Sequence, residues 1–306
     1  QTPVASSHEP PPASVHVPES QPAPATPECV YFRQGNKVLT YQVHKALVTT
    51  LQEEDDITEL YTHTHYPNCV YYTTKNFYRV NHLNSLHLLK LQMATTSFSQ
   101  VFLLQHSEAF THVVMRVNGI QSCQYTFYTL QQERFAFTTK DLHAAYSVKP
   151  TKCVFLHQMY LVAFFPGQAM VVSEIAQDPH TRVFYRRSHH TYDFSTLTEQ
   201  NFQGVHVCNH SIYAVSCSTQ VTRFAFNTSK QLGSVKSFDL RFTPTHVREF
   251  ADSLAFFHHN QVAFINQYHD IQYTTVVDEV QDLALMYNTL YILTLQGGVV
   301  PLAVIC

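Results

Sequence analysis

Alternating apolar and polar residues recur along most of the chain, and this pattern predicts β-strands. Residues 29–32 form a short apolar run, a turn reading Arg-Gln-Gly-Asn follows, and residues 37–43 alternate again. Residues 69–72 and 77–80 repeat the arrangement around Thr-Thr-Lys-Asn. Neighbouring residues on a strand point to opposite faces, so a period of two marks a half-buried strand. Because no stretch keeps the 3.6-residue spacing of an amphipathic helix, we expect an all-β fold with less than about 10% helix.

The paired strands form a repeat. Five further, weaker copies lie at residues 112–115, 160–163, 212–215, 254–257 and 290–293. The seven copies are spaced about 36 to 52 residues apart, which is the period of a β-propeller blade. Another strand precedes and a fourth follows each pair, as at residues 152–156 and 182–185. Each period therefore supplies four antiparallel strands, and their repetition around an axis protects the edges of the sheets.

These hairpins resemble the central strands of WD40-like, seven-bladed β-propellers, in a divergent form. The chain has no Trp, so it lacks the Trp-Asp pair of that family, and the hydrogen-bonded tetrad of typical blades cannot be assigned to any position. The resemblance implies one propeller domain over residues 29–306, with six or seven four-stranded blades. The first copy lacks its innermost strand and the last lacks its outermost strand. The resemblance implies that an N-terminal strand completes the C-terminal blade.

Residues 1–28 differ in composition from the rest. Eight of the 14 prolines fall in this stretch, which lacks the density of apolar residues that a folded core requires. We expect a disordered, Pro-rich tail or linker. The alternative is a peptide that docks in a groove of another domain.

Charge and hydropathy argue against nucleic-acid binding and against insertion into a membrane. The formal net charge is −3, so the chain has no basic surface of the kind that neutralises nucleic-acid phosphates, and nucleic acid is not an expected partner. Apolar runs such as residues 160–165 are about six residues long, whereas a membrane-spanning helix needs about 20. We therefore expect no insertion into a membrane.

Cysteine usage favours an intracellular protein, in the cytoplasm or nucleus. The seven cysteines are widely spaced without a CxxC pair, which predicts free thiols in a reducing compartment. A hairpin could bring Cys208 and Cys217 together. Two glycosylation triplets, which begin at Asn209 and Asn227, keep secretion open as the alternative.

Histidines are abundant but do not form a recognisable metal motif. His63 and His65 are two apart on a predicted strand and could share a face, with Cys69 nearby, but no further ligand has diagnostic spacing. We interpret them as surface residues and predict no metal and no cofactor. His258 and His259 are adjacent, and adjacent strand residues point to opposite sides, which argues against joint ligation.

The densest basic cluster falls between the fourth and fifth copies, in a segment predicted to be a loop. It contains Arg182, Arg186, Arg187, His189 and His190. Guanidinium groups bind carboxylates and phosphates through paired hydrogen bonds. We predict that this loop binds an acidic or phosphorylated segment of a partner protein.

The sequence favours a function without catalysis. It contains no nucleophile elbow, phosphate-binding glycine loop, HExxH or kinase signature. We predict a protein–protein interaction platform that serves as a subunit of an intracellular multiprotein assembly. The alternatives are a propeller hydrolase or lyase with its site at the central channel, and a secreted recognition domain. The enzyme would need charged residues on the innermost strands, but the predicted ones, such as residues 153–156 and 282–286, are mainly apolar.

Overall fold

Every regular element of the described residues is a β-strand, which confirms the predicted all-β fold. The structure is a computed structural model. It describes residues 29–42, 47–63, 66–82, 91–94, 100–104, 111–117, 123–128, 134–138, 152–156, 160–165, 169–177, 180, 184–193, 202–209, 211–227, 231–250 and 252–305. The Pro-rich segment 1–28 lies outside these residues.

The strands form seven antiparallel sheets, numbered here in chain order, and within each sheet consecutive strands are neighbours. Sheet 1 contains β1 (Cys29–Gln34), β2 (Lys37–Gln42) and β3 (Leu47–Gln52); sheet 2 contains β4 (Ile57–His63), β5 (Tyr66–Thr74), β6 (Phe77–His82) and β7 (Leu91–Ala94). Sheet 3 contains β8 (Gln100–Leu104), β9 (Thr111–Val117), β10 (Cys123–Tyr128) and β11 (Arg134–Thr138); sheet 4 contains β12 (Lys152–Leu156), β13 (Tyr160–Phe165), β14 (Ala169–Gln177) and β15 (Phe184–Asp193). Sheet 5 contains β16 (Phe202–Cys208), β17 (Ser211–Ser216), β18 (Gln220–Phe226) and β19 (Leu232–Asp239); sheet 6 contains β20 (His246–Glu249), β21 (Leu254–His258), β22 (Gln261–Ile265) and β23 (Ile271–Thr275). Sheet 7 contains β24 (Val280–Met286), β25 (Thr289–Thr294) and β26 (Val299–Ala303).

The first strand of a sheet lies next to the first strands of the neighbouring sheets. Strand β12 lies beside β8 and β16, and β1 lies beside β4 and β24. First strands therefore surround a central axis, and the last strand of each sheet lies at the outside. This is the arrangement of a β-propeller.

The core consists of apolar layers between adjacent sheets. Between sheets 4 and 5, Phe164 and Phe224 pack edge to face with ring centroids 5.7 Å apart, and both side chains are buried. Similar layers join sheet 5 to sheet 6, sheet 6 to sheet 7, and sheet 1 to sheet 2. Full burial of one large apolar side chain stabilises the fold by about 1.5–3 kcal/mol, so these layers hold the sheets together.

The ring closes by packing of sheet 1 against sheet 7. Val30 and Phe32 of β1 share one buried cluster with Leu293 of β25, and the rings of Tyr41 and Tyr291 lie 5.8 Å apart. Each of these two sheets has three strands among the described residues. The N-terminal strand implied by the family resemblance would come from residues 1–28, outside those described.

Hydrogen bonds at one end of the ring tie the turns to the connections between sheets. The Asn36 side chain donates to the Glu53 carbonyl at 2.7 Å, and the Asn260 side chain donates to the Val276 carbonyl at 3.2 Å. The Asn36 turn joins β1 to β2 and the Asn260 turn joins β21 to β22, and in each the Asn carbonyl also accepts a backbone hydrogen bond from the connection that follows. These bonds connect the turns to the strand connections in a chain that lacks the Trp-dependent tetrad.

Candidate functional site

The predicted basic loop is a strand in the structure, so the loop assignment was wrong. Arg186, Arg187, His189 and His190 lie on β15, the outermost strand of sheet 4, which pairs with β14 along its length. Ile175 faces Arg186 and Glu174 faces Ser188, so Arg187 is the extra residue of a β-bulge. Arg182 lies outside the described residues.

An acidic partner from the same sheet already contacts the basic strand. The Arg187 guanidinium lies 3.5 Å from Glu174 Oε1, and the Arg187 side chain is 68% exposed. The Ser188 hydroxyl donates to Glu174 Oε2 at 2.9 Å. Solvent-exposed ion pairs contribute little to stability, so Arg187 remains accessible to a stronger anionic ligand. His190 is also exposed.

The structure describes both residues of the pair His258 and His259, but only His63 of the pair His63 and His65. His63 is the last residue of β4, and His65 lies outside the described residues, so their joint ligation of a metal stays untested. His258 and His259 have ring centroids 4.1 Å apart, although alternation along a strand predicted opposite directions. The reason is the turn, because His259 has a φ of 49° and leaves the extended conformation. Within the described ranges no group of three potential ligands could hold a metal ion.

The glycosylation triplet at Asn209 is part of a seam between sheets 5 and 6. The Asn209 side chain donates to the Gln267 carbonyl at 3.4 Å. The Ser211 hydroxyl is fully buried and accepts a hydrogen bond from Arg223 Nε at 3.0 Å. A glycan would be attached to the same Nδ2 atom that makes the first of these contacts.

Ionisable side chains meet on the innermost strands, contrary to the expectation that these strands are mainly apolar. His206 Nδ1 of β16 lies 2.6 Å from Glu249 Oε1 of β20. Arg248 Nε of β20 lies 3.6 Å from Asp282 Oδ1 of β24, and the Arg33 backbone N–H donates to Asp282 Oδ2 at 2.6 Å. Tertiary packing makes these pairs, because each partner comes from a different sheet. The signal in the sequence is the presence of ionisable residues on the first strand of a sheet: His206 on β16, Arg248 and Glu249 on β20, and Asp282 on β24.

The central groups satisfy one another. Asp282 is 1% exposed and has both the Arg248 guanidinium and the Arg33 N–H as partners. Burial, and then the Glu59 carboxylate, raise the pKa of Tyr61 well above its ordinary value, so its phenol stays protonated. Paired and hydrogen-bonded groups of this kind stabilise the inner strands. They resemble a structural network more than an acid–base pair poised for catalysis.

A second exposed region joins sheets 6 and 7 at the end of the ring that carries the Asn-tied turns. We call it the sheet 6–7 rim and define it as residues 258–260, 276–279 and 295–298. The Leu295 N–H donates to the Glu279 carbonyl at 2.8 Å, and the Val280 N–H donates to the His259 carbonyl at 2.7 Å. His259 Nδ1 lies 3.2 Å from Glu279 Oε1. These contacts make the three segments one continuous surface.

Large apolar side chains project from the rim. Val277 is 96% exposed and Leu295 is 59% exposed. The surrounding chain is acidic, because residues 249–306 contain six Asp and Glu residues and no Lys or Arg. Sequence reasoning missed this surface, although the regional charge imbalance is visible in the sequence and contrasts with the nearly balanced total.

Comparison with solved structures finds many similar chains at low sequence identity. The β-propeller domain of Cps50 (Swd1) from Myceliophteria thermophila aligns with a TM-score of 0.56 and 9% identity, over 92% of this chain and 98% of that one. A chain of a mitotic checkpoint complex aligns with a TM-score of 0.53 and 10% identity, over 97% and 99%. Sqt1 from Saccharomyces cerevisiae aligns with a TM-score of 0.52 and 11% identity, over 88% and 79%. No family model matches the sequence, and no curated protein sequence matches it.

These similarities establish the fold. The chain has a WD40-like β-propeller fold, as its hairpin repeat predicted. At such low identity the comparison carries no residue-level role from one protein to another. The part of the chain that the structure describes contains no helix able to span a bilayer.

Proposed function

We propose that this protein is a non-catalytic interaction platform, a subunit of an intracellular multiprotein assembly. The observation that carries the proposal is the pair of exposed apolar side chains, Val277 and Leu295, held on hydrogen-bonded loops of a rigid ring. Exposed apolar residues on such loops are typical of protein-binding surfaces. Similarity in fold to a chain of a mitotic checkpoint complex supports this role by analogy.

The paired groups of the central channel support the absence of catalysis. A hydrolase or lyase would need a nucleophile or base with an accessible reacting atom. Asp282 is instead buried between Arg248 and the backbone of Arg33. For Asp282 to act as a base, these contacts would first have to break.

The platform is tested by purification of the full-length tagged chain from its own cells, followed by size-exclusion chromatography. We expect it to elute with a constant set of partners, well above the 35.1 kDa of the chain itself. Elution of the native protein as a free monomer, together with turnover of a hydrolase or lyase substrate, would contradict the proposal.

Strand β15 is a second proposed contact surface, for an acidic or phosphorylated segment. It is supported by the exposure of Arg187 and His190 on the outside of the ring. Replacing Arg186 and Arg187 with Gln should weaken binding of an acidic phosphoserine peptide and reduce its dependence on salt. Lys236→Gln is the matched control, because Lys236 is exposed on β19, the outermost strand of sheet 5. Equal losses in both variants would mean that only the net charge matters.

A further inference from the structure

The sheet 6–7 rim combines exposed apolar side chains with acidic side chains, and folding requires neither of them there. Val277 lies in the connection between sheets 6 and 7, and Leu295 lies in the turn between β25 and β26. The hydrogen bond from the Leu295 N–H to the Glu279 carbonyl holds this turn beside a residue only two positions from Val277. Their side chains are 96% and 59% exposed. A large apolar side chain left in water contributes little to folding, whereas a bound partner that covers both residues would gain by removing their apolar surface from water.

The charge around these anchors has one sign. Of the six acidic residues in 249–306, Glu249 and Asp282 are engaged at the centre of the ring by His206 and Arg248. Asp278 and Glu279 belong to the rim, and the Glu279 side chain is 52% exposed. Sheet 7 contains no Lys or Arg to balance these carboxylates.

We infer that the sheet 6–7 rim binds a basic segment of a partner protein, in which Lys or Arg alternates with apolar side chains. The apolar side chains pack on Val277 and Leu295, and the cations lie against Asp278 and Glu279. Apolar contact supplies the affinity, while the carboxylates attract cationic segments and repel acidic ones. The inference rests on the proposed function, because it names the partner chemistry of one surface of the platform.

The test uses the full chain and a phage-displayed library of random peptides as the probe. Peptides are selected on the wild-type protein after depletion on the double variant Val277→Ser and Leu295→Ser. We expect the enriched peptides to contain Lys or Arg next to apolar residues. Their affinity for the double variant should be lower by about tenfold or more, which corresponds to about 1.4 kcal/mol.

Two further variants separate the contributions. Asp278→Asn with Glu279→Gln removes both charges with little change in shape, and it should weaken binding and flatten the salt dependence. Val48→Ser is the matched control, because Val48 is 58% exposed on β3 of sheet 1, and this variant should bind as the wild type does. Unchanged melting temperatures show that the substitutions leave the fold intact.

Three results would overturn the inference: no peptide enriched over the depleting variant, enriched peptides without basic residues, or equal losses in the Val48→Ser control. The platform itself is judged separately by its native assembly. If the Val277→Ser and Leu295→Ser protein keeps all its partners in cells, this surface is not their site and the platform stands. If the wild-type protein has no partners, the platform fails.

Discussion

Arg248 is the residue on which the inner network depends most. Besides its contact with Asp282, its Nε donates to the Leu283 carbonyl at 3.1 Å, and its Nη1 donates to the Leu60 carbonyl of sheet 2. The Asp282 side chain is 1% exposed and the Arg248 side chain 11%. One side chain therefore connects three sheets at the centre of the ring.

Arg248→Met should destabilise the protein by about 3–5 kcal/mol, because it leaves a buried carboxylate without its cation. Adding Asp282→Leu to this variant should restore part of the loss, since the unpaired charge is then removed. Denaturant unfolding of the two single variants and the double variant measures the coupling. Strictly additive losses would show that the ion pair contributes nothing beyond its separate side chains.

His246 links stability to pH. Partial burial, and then the positive charge of Arg33, lower the pKa of His246, while Asp282 opposes this shift. The native state therefore binds fewer protons at this site than the unfolded chain does just below pH 6.5. The contribution of neutral His246 to the stability of the fold is complete above about pH 6.5 and is lost as the pH falls through the pKa of His246 in the native state.

His246→Gln should lose less stability than the wild type when the pH is lowered from about 7 to about 5. The free energy of unfolding, measured in urea across this range, gives the comparison. His259→Gln serves as a control at an exposed position of the rim, since its side chain is 66% exposed. Parallel pH profiles for wild type and His246→Gln would contradict the assignment.

Cys208 and Cys217 should differ in reactivity. The pairing of β16 with β17 brings Cys208 opposite Ser211 and Phe202 opposite Ser216, so the two cysteines lie at opposite ends of the hairpin. Burial raises the pKa of the Cys208 thiol to about 12, whereas Cys217 is exposed. Both are free thiols.

Mass spectrometry after iodoacetamide treatment should show Cys217 modified in the native protein and Cys208 only in denaturant, because the thiolate is the reactive form. Rapid native labelling of Cys208 would show that the end of β16 opens readily.

At the scale of elements, the turns repeat one device in different sheets. Asn36 and Asn260 occupy the second position of equivalent turns and make the same side-chain bond to the strand connection. The residue before each has positive φ, 55° at Gly35 and 49° at His259. Glycine adopts this conformation without strain, whereas His259 adopts it at some cost and gains its contact with Glu279.

Asn36→Asp and Asn260→Asp should each destabilise the fold by about 1 kcal/mol, since Asp keeps the shape but cannot donate the hydrogen bond. The two losses should add in the double variant, because the sites are in different sheets and share no partner. Thermal unfolding followed by circular dichroism measures all three variants. A loss at one site only would mean that the two turns are not equivalent.

At the scale of the whole molecule, ring closure makes the first and last sheets mutually dependent. Phe32 is fully buried between sheets 1 and 7, and Phe224 is fully buried between sheets 4 and 5. The packing of Phe32 joins the first and last sheets of the chain. The packing of Phe224 joins two sheets that follow each other in sequence.

Phe32→Ala and Phe224→Ala should each cost about 3–5 kcal/mol and should shift the same unfolding transition. Unfolding curves recorded by near- and far-ultraviolet circular dichroism should coincide in both variants if the ring unfolds as one unit. If Phe32→Ala produces a separate early transition while Phe224→Ala does not, the seam opens independently of the ring.

The sequence by itself determined the strands, their grouping and the propeller class. Its period-two alternation and its repeat spacing are local properties, so they were visible at residues 29–43 and 69–80 without any knowledge of contacts. It also contained the charge imbalance of residues 249–306, although the structure decides which of these carboxylates lie on the rim, namely Asp278 and Glu279.

The tertiary structure alone decided which residues meet. The pairs Arg248–Asp282 and His206–Glu249 join different sheets, and no spacing in the sequence relates their members. The bulge at Arg187 and the left-handed turn at His259 each interrupt the alternation of side-chain directions. Simple alternation therefore predicts the wrong directions at these two places. The rim exists because the hydrogen bond from the Leu295 N–H to the Glu279 carbonyl joins a turn of sheet 7 to the connection that carries Val277. Contacts of this kind depend on the closed ring, which fixes distances that the sequence does not encode locally.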